Sequence, residues 1–218
     1  MIPLSMVNYS GHNMLTNHTD IKKWLNSMDI KNYTINDTGT VTVDGDVNIN
    51  RKGLTEIPVQ FRIVSGYFSC SWNRLKSLDG SPREVGGDFY CSDNYLKSLE
   101  GSPREVGGDF NCNFNNLKSL EGSPQEVGGG FYCGENNLKS LEGSPQEVGG
   151  NFDCLYNSLK SLEGAPQEVG GHFCCWNNSL KSLNGSPREV GRHFNCRRNN
   201  FKNIPKCDTI INGELFWT

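Results

Sequence analysis

The sequence predicts a repeat solenoid, built around a parallel β-sheet of about nine turns with little helix. The first observation is a fixed period, because seven cysteines recur every 21 residues. Each lies two residues after a phenylalanine and three before an asparagine: Cys70, Cys91, Cys112, Cys133, Cys154, Cys175 and Cys196. The second observation is that each repeat carries apolar positions that one turn alone cannot enclose. Neighbouring turns must therefore stack to form a continuous core.

The strand of each turn is predicted where apolar and polar residues alternate. In "DFYCSD", Phe89 and Cys91 alternate with other residues in the pattern of a half-buried strand. Asn94 follows at the turn, and we expect the side chains of this asparagine column to bond backbone groups of adjacent turns. Paired glycines, Gly86 and Gly87 in this copy, precede the strand and allow the backbone to bend or to approach its neighbour closely.

The same register continues at both ends of the chain with weaker sequence. Val47 and Ile49 occupy the phenylalanine and cysteine positions before the first clear copy, and Leu215 and Trp217 occupy them after the last. The count is therefore nine turns. We expect the solenoid to comprise residues 37–218, including a C-terminal closing turn.

Residues 1–36 are predicted to form an N-terminal cap with a short helix. The stretch "HTDIKKWLNSM" has apolar residues at helical spacing, with Thr19 or Asp20 as the helix cap. The predicted apolar face consists of Ile21, Trp24, Leu25 and Met28. A helix here would cover the open N-terminal edge of the sheet, and uncovered edges invite aggregation.

The repeat "VGGDFYCSDNYLKSL" resembles the leucine-rich repeat. Phe89 and Cys91 stand in its two apolar strand positions, Asn94 in its asparagine position, and Leu96 and Leu99 follow. The short unit is most similar to the bacterial type found in secreted effectors of pathogens. The segment "LEGSPREVGGDFYC" also resembles the repeats of proteins from tailed phages and other large viruses. The resemblance covers roughly residues 40 to 218, but glycines replace the first apolar position and "LEGSP" replaces the customary "LP". These departures leave the curvature open, and with it a flatter β-solenoid.

Composition limits the cellular setting. The net charge of -3 gives no general case for nucleic-acid or membrane partners. The N-terminal residues contain neither a basic segment nor a continuous apolar run, so we expect no signal peptide and no membrane span. The expected compartment is the cytoplasm, which is the host cytoplasm if the protein is viral.

The cysteine column is predicted to be core filling in a reducing compartment. Adjacent parallel strands hold equivalent side chains ~4.8 Å apart, whereas a disulfide prefers Cβ atoms ~3.8 Å apart. A buried free cysteine behaves as a small hydrophobic residue. A straight ladder of thiols also does not converge on a zinc ion.

The copies differ from one another at particular positions. The segments "LKSLEGSP" and "EVG" hardly change, while the residues that alternate with phenylalanine and cysteine, and the residue that follows them, vary freely. We call these positions the varied face. A uniform frame with one varied face is typical of a binding surface. Neutral drift is the alternative, but drift would also diversify the exposed lysines and glutamates of the uniform segments.

The varied face is enriched in aromatic residues, and its charge is polarised along the chain. Acidic residues come first and basic ones gather near the end, an arrangement that would orient a partner of complementary polarity. The predicted partner-binding residues are Tyr67, Trp72, Asp88, Tyr90, Asp93, Asp109, Phe114, Tyr132, Glu135, Asp153, Tyr156, His172, Cys174, Trp176, His193, Arg197 and Arg198. The acidic first half makes nucleic acid an improbable partner.

Cys174 differs from the column cysteines because it occupies the varied face. His172, His193 and Asp153 flank it, so that a metal site is one interpretation and a nucleophile with a histidine base another. Tetrahedral closure is rare on a flat sheet, and no oxyanion-binding group is apparent. We therefore interpret Cys174 as a contact residue and expect no metal, no cofactor and no catalytic residue.

The sequence thus predicts a non-enzymatic scaffold that binds a protein through its varied face. The resemblance to phage and pathogen proteins implies a host protein as the partner and inhibition as one outcome. One alternative is a structural or homo-oligomeric component of a larger particle. Another is capture of a nucleotide-like ligand over Trp176, His172 and Arg197.

Overall fold

A computed structural model describes the backbone of residues 6–9 and 12–217. It contains one helix, α1 (His18–Ser27). The strands are β1 (Met6–Tyr9), β2 (His12–Leu15), β3 (Tyr33–Ile35), β4 (Val41–Val43), β5 (Val47–Asn48), β6 (Phe61–Val64), β7 (Phe68–Ser69), β8 (Glu84–Val85), β9 (Phe89–Tyr90), β10 (Glu105–Val106), β11 (Phe110–Asn111), β12 (Glu126–Val127), β13 (Phe131–Tyr132), β14 (Glu147–Val148), β15 (Phe152–Asp153), β16 (Glu168–Val169), β17 (Phe173–Cys174), β18 (Glu189–Val190), β19 (Phe194–Asn195), β20 (Ile210–Ile211) and β21 (Leu215–Phe216).

The predicted parallel β-solenoid of about nine turns with little helix is confirmed. The odd-numbered strands from β5 to β21 form one nine-stranded parallel sheet, in which each strand pairs with the strand one repeat away. Its first and last pairs set Val47 beside Phe68 and Phe194 beside Leu215, as the extended register predicts. Backbone hydrogen bonds continue this ladder beyond the two-residue strands, for example from the Cys91 N–H to the Asn111 oxygen.

A second parallel sheet was not predicted. It contains the even-numbered strands from β4 to β20 and ends on β3, which pairs with β4 in antiparallel fashion. In the central turns each strand is a Glu-Val dipeptide, with the valine buried and the glutamate pointing outward. Two residues are too few to show an alternating pattern. Every central turn therefore contributes one strand to each of two sheets.

The core consists of identical columns stacked along the solenoid. The phenylalanine and cysteine side chains of the nine-stranded sheet are fully buried from Phe68 to Cys196. Successive phenylalanine rings from Phe68 to Phe173 stack with centroids 5.1–5.5 Å apart. All nine cysteines are unpaired, and burial raises the pKa of Cys70, for example, to about 12. The column cysteines are therefore core residues, as predicted, and burial keeps their thiols protonated.

The asparagine column connects adjacent turns, as predicted. The Asn136 Nδ2 donates to the Cys133 oxygen of its own turn at 3.2 Å and to the Cys112 oxygen of the preceding turn at 3.1 Å. Its Oδ1 accepts the Leu117 N–H at 3.0 Å. One buried side chain thus satisfies the Leu117 N–H and shares the two carbonyl groups with Asn115 and Asn157 of the adjacent turns.

A column of glycines lies where each turn passes from one sheet to the other. We call Gly86, Gly107, Gly128, Gly149, Gly170 and Gly191 the glycine column. A Cβ atom at Gly128 would lie 2.3 Å from the carbonyl oxygen of Gly107 in the preceding turn. The predicted close backbone approach is therefore confirmed, and it leaves no room for a side chain.

Helix α1 packs against the first turns of the solenoid. Ile21 and Leu25 are fully buried, and the Trp24 ring lies 6.3 Å from that of Phe61. The prediction of Thr19 or Asp20 as the cap is wrong. Asn17 is the N-cap, because its side-chain oxygen accepts the Thr19 N–H at 2.8 Å. Thr19 and Asp20 lie in the first turn, where the Asp20 carboxylate favours the helix dipole.

Candidate functional site

The varied face comprises four columns that run along the nine-stranded sheet. Three of them point outward from the strand and its continuation, and the fourth lies at the turn that follows. The column before the phenylalanine contains Tyr67, Asp88, Asp109, His172 and His193; the next contains Tyr90, Tyr132, Asp153 and Cys174; the third contains Trp176 and Arg197; and the turn column contains Trp72, Asp93, Phe114, Glu135, Tyr156 and Arg198. The predicted residues thus share one side of the solenoid.

The first of these columns has a structural role that the sequence did not reveal. The Asp88 carboxylate accepts the Asp109 N–H of the next turn at 2.8 Å, and the Asp109 carboxylate accepts the Gly130 N–H in the same way. The Nδ1 of His172 accepts the His193 N–H at 3.2 Å. Residue types vary here, but most are hydrogen-bond acceptors for the next turn. Their variation is therefore weaker evidence for binding than it is elsewhere on the face.

The second column is half-buried. The Tyr90 hydroxyl donates to the Asp88 carboxylate at 2.6 Å. Burial raises the pKa of Asp153 to about 6, although the Leu155 N–H donates to this carboxylate. Burial, and then the neighbouring Asp153 charge, raises the pKa of the Cys174 thiol to about 11. The Cys174 thiol is thus protonated at neutral pH, which makes it a poor nucleophile.

The metal interpretation of the cluster around Cys174 gains no support. Across residues 6–9 and 12–217, no group of three or more histidine, cysteine or acidic side chains could hold a metal ion. The rings of His172 and His193 are stacked 5.1 Å apart, and each Nδ1 accepts a backbone N–H of the next turn. Cys174 and Cys175 point to opposite sides of the sheet, as predicted, since only Cys175 is fully buried.

The turn column has an unusual backbone conformation. Its residues adopt left-handed φ angles between 49° and 59°, although none of them is glycine. We call this set the left-handed column: Arg51, Trp72, Asp93, Phe114, Glu135, Tyr156, Asn177 and Arg198. Glycine and asparagine adopt this conformation readily, whereas a bulky side chain in it is a genuine outlier. Trp72, Phe114 and Tyr156 are nevertheless aromatic, and they are 53%, 53% and 37% exposed.

Only part of the predicted aromatic track is exposed to solvent. Tyr67, Tyr90, Tyr132 and Trp176 are half-buried. The sequence reading also missed Tyr95, which is 54% exposed but follows the asparagine and lies outside the varied face. Strand alternation places residues on a side of the sheet, but it does not predict how far neighbouring turns cover them.

At the basic end of the varied face, two arginine side chains pack over aromatic rings. The Arg198 guanidinium lies 4.9 Å from the Trp176 ring, whose other contact is an edge-on approach by Tyr156 at 4.7 Å. Arg197 lies instead over Phe216 at 4.7 Å, a residue that was not among the predicted ones. Since these side chains already contact the Trp176 ring, the ring is a poor platform for a nucleotide-like ligand.

One broad groove of the described chain does not coincide with the varied face. It has a volume of about 1150 Å³ and is lined by the Glu-Val-Gly segments of successive turns, from Ile63 to Gly191. Its trough follows the glycine column, where the absence of side chains is explained by the contact with the preceding turn. This groove is therefore a consequence of packing.

The chain is thus a two-sheet parallel repeat solenoid with one chemically varied face. No protein-family model matches it, and no curated protein matches its sequence. Among solved structures it is similar to YopM from Yersinia enterocolitica WA-314, with 12% sequence identity and a TM-score of 0.29. That match covers 78% of this chain and 65% of the YopM chain, which is less than two thirds of its length. Among the described residues, no helix is long and apolar enough to cross a bilayer.

Proposed function

We propose that the protein is a non-enzymatic scaffold that binds another protein through its varied face. One observation carries the proposal: exposed aromatic residues occupy left-handed backbone positions on an otherwise uniform frame. The repeat imposes this conformation on successive turns but does not require a bulky side chain there, and residues strained in this way are common at functional sites. Exposed aromatic side chains are also the residues most enriched in the energetic centres of protein interfaces.

The frame supports this role because it is rigid and repetitive. Every central turn is fixed by two parallel ladders, the asparagine column and the stacked phenylalanine rings. The backbone of such a frame loses little further entropy on binding, so that more of the contact energy is available for affinity.

The resemblance of the repeats to those of pathogen effectors and phage proteins supports a host protein as the partner. In that setting the protein would act in the host cytoplasm and could inhibit the protein that it binds. The polarised charge of the varied face supports a partner with the opposite polarity, because complementary charge fixes orientation.

Affinity capture from lysates of candidate hosts tests the proposal. The variant carries Tyr90→Asn, Phe114→Asn, Tyr156→Asn and Trp176→Ser, and each new residue already occupies the same column in another turn. The fold should therefore survive, which a thermal melt by circular dichroism checks. We expect the wild type to retain a specific protein and this varied-face variant to lose it.

A matched control removes exposed side chains from the uniform segments. Lys97→Ala, Lys118→Ala, Lys139→Ala and Lys160→Ala change the same number of residues, all of them exposed and outside the varied face. This variant should retain the captured protein. Equal capture by the wild type and the varied-face variant would contradict the proposal.

A further inference from the structure

Two columns of opposite charge run side by side along the uniform segment "LKSLEG". In each of four successive turns an exposed lysine is followed, three residues later, by an exposed glutamate. The leucines that precede them are fully buried, so both charged side chains lie on the outside of the same segment. We call these sets the lysine column, Lys97, Lys118, Lys139 and Lys160, and the glutamate column, Glu100, Glu121, Glu142 and Glu163.

Backbone hydrogen bonds keep the turns in register on both sides of this segment. The Leu99 N–H donates to the Glu121 oxygen of the next turn at 3.2 Å. On the lysine side, the Asn116 N–H donates to the Leu96 oxygen of the preceding turn at 2.8 Å. Equivalent residues of adjacent turns are therefore about 4.8 Å apart, and each column is a straight row of like charges.

The two rows carry an electrostatic cost that the chain itself does not offset. Like charges opposite one another on adjacent strands repel. Within residues 6–9 and 12–217, no side chain of either column forms an ion pair. The columns are exposed, so the packing of the turns does not explain why lysine and glutamate recur there. Opposite charges from outside the chain would relieve the repulsion in both rows.

A second copy of the chain carries these charges at the required spacing. Its columns necessarily have the same period, so that all four turns pair at once whatever the rise per turn is. A partner with any other period falls out of step over successive turns. A flexible polyanion or polycation could follow one column, but it would leave the column of opposite charge unpaired.

The order of the columns selects one arrangement of the two copies. A two-fold axis parallel to the solenoid, running between the columns, brings each lysine column opposite the glutamate column of the other copy and keeps equal turns level. A two-fold axis across the columns would bring lysine opposite lysine. Contacts of this self-complementary kind are typical of two-fold dimers.

The residues between the two columns permit a close approach. Every turn has a half-buried serine directly after the lysine: Ser98, Ser119, Ser140 and Ser161. This row lies along the two-fold axis, where it faces its own copy. A small side chain there leaves room for the longer lysine and glutamate side chains to meet.

From this geometry we infer that the lysine and glutamate columns form a parallel two-fold contact between two copies of the chain. Four turns with one pair in each direction give eight Lys–Glu ion pairs. Exposed ion pairs are individually weak, so we expect a reversible dimer that is sensitive to salt. The contact uses no residue of the varied face, and the inference does not depend on the proposed function.

Sedimentation velocity over a series of protein concentrations tests the inference. We expect a monomer–dimer equilibrium of the wild type at about 50 mM NaCl and at least tenfold weaker association at about 500 mM. The variant with alanine at all four lysines, introduced above as the capture control, should associate at least tenfold more weakly than the wild type.

Two charge-reversal variants sharpen the test. The acidic variant carries Lys97→Glu, Lys118→Glu, Lys139→Glu and Lys160→Glu. The basic variant carries Glu100→Lys, Glu121→Lys, Glu142→Lys and Glu163→Lys. Each alone should be monomeric, because both of its columns then have the same sign. An equal mixture should form a one-to-one complex, since every lysine of one copy then faces a glutamate of the other. Thermal melts by circular dichroism check that both variants fold.

A matched control separates the columns from net charge. It reverses four exposed lysines that lie outside both columns: Lys22→Glu, Lys31→Glu, Lys52→Glu and Lys206→Glu. Its net charge equals that of the acidic variant, yet it should dimerise within about threefold of the wild type in high salt-matched buffer, where long-range repulsion is screened. Mixed with the basic variant, it should associate at least tenfold more weakly than the acidic variant does.

Carbodiimide cross-linking of mixed unlabelled and isotope-labelled protein tests the arrangement. The parallel two-fold contact should join Lys118 of one copy to Glu121 of the other, because equal turns are level.

Several results would overturn the inference. These are a wild type that stays monomeric up to about 1 mM at low salt, a dimer that the alanine variant does not weaken, and cross-links between copies that join only unequal turns. Failure of the acidic and basic variants to associate when both are folded would do the same. None of these results bears on capture of a protein by the varied face, which is measured separately.

Discussion

The glycine column and the left-handed column make opposite use of backbone conformation. In the glycine column φ lies outside the left-handed region, yet every residue is glycine because a Cβ atom would meet the preceding turn. In the left-handed column glycine or asparagine would suit the backbone, yet seven of the eight residues are neither. Uniformity in the first column is therefore explained by packing. The diverse residues of the left-handed column go against the preference of this backbone conformation for glycine or asparagine. The glycine column therefore belongs to the structural frame, and the left-handed column belongs to the candidate binding site.

The largest expected effect concerns the glycine column. Gly128→Ala places a Cβ atom 2.3 Å from the Gly107 oxygen, so that two turns of the ladder must separate. We expect the free energy of unfolding to fall by at least about 3 kcal/mol, measured by urea denaturation. Gly134→Ser is the matched control, because its Cβ would meet the Leu155 side chain and serine occupies this column elsewhere. A loss of less than 1 kcal/mol in Gly128→Ala would contradict the packing explanation.

The second-largest expected loss of stability concerns the asparagine column. Asn136→Ala leaves the buried Leu117 N–H without its partner and removes one of the two amide donors from each of the Cys112 and Cys133 carbonyl groups. We expect the free energy of unfolding to fall by about 2–3 kcal/mol. Asn137 is exposed, and Asn137→Ala should change it by no more than about 0.5 kcal/mol. Similar losses in both variants would show that the buried amide contributes nothing specific.

Replacement of Asp153 should raise the free energy of unfolding, in contrast to the two substitutions above. Burial raises the pKa of Asp153 to about 6, so the folded protein favours the protonated form more than the unfolded chain does. Its contribution to stability is therefore most favourable below about pH 4 and declines as the pH rises to about 6. Asp153→Asn keeps an acceptor for the Leu155 N–H, as Asn111 does for Asn113. We expect a gain of about 1–2 kcal/mol at pH 7.5 and little change at pH 4.

Denaturant titrations at the two pH values check this prediction. Equal effects of Asp153→Asn at both would mean that the carboxylate is not destabilised by burial.

The smallest expected effect concerns the left-handed column. Phe114→Asn should raise the free energy of unfolding by about 0.5–1 kcal/mol, because asparagine tolerates the left-handed conformation and the ring is mostly outside the core. Tyr95 does not have a left-handed φ angle, so Tyr95→Asn relieves no backbone strain and should leave the free energy of unfolding unchanged or slightly lower. The comparison requires differential scanning calorimetry of both variants. A destabilised Phe114→Asn would show that the ring serves the fold.

The sequence was sufficient to predict the buried columns, because phenylalanine, cysteine and asparagine repeat at one period. It was not sufficient for the Glu-Val ladder, whose strands are too short to show periodicity. It also could not reveal that Asp88 and His172 accept a hydrogen bond from the next turn, since this depends on how closely the turns approach. The left-handed conformation of Phe114 was hidden because phenylalanine does not signal it. Asparagine at the equivalent Asn177 was the one clue within the repeats.

The most direct test of the central claim is the affinity of a variant with Trp72→Asn, Phe114→Asn and Tyr156→Asn for the partner that the wild type captures. The account predicts binding at least tenfold weaker than that of the wild type, in a protein at least as stable, while Tyr95→Asn binds normally. Undiminished affinity of this stable triple variant would contradict the claim that strained aromatic residues are retained for binding.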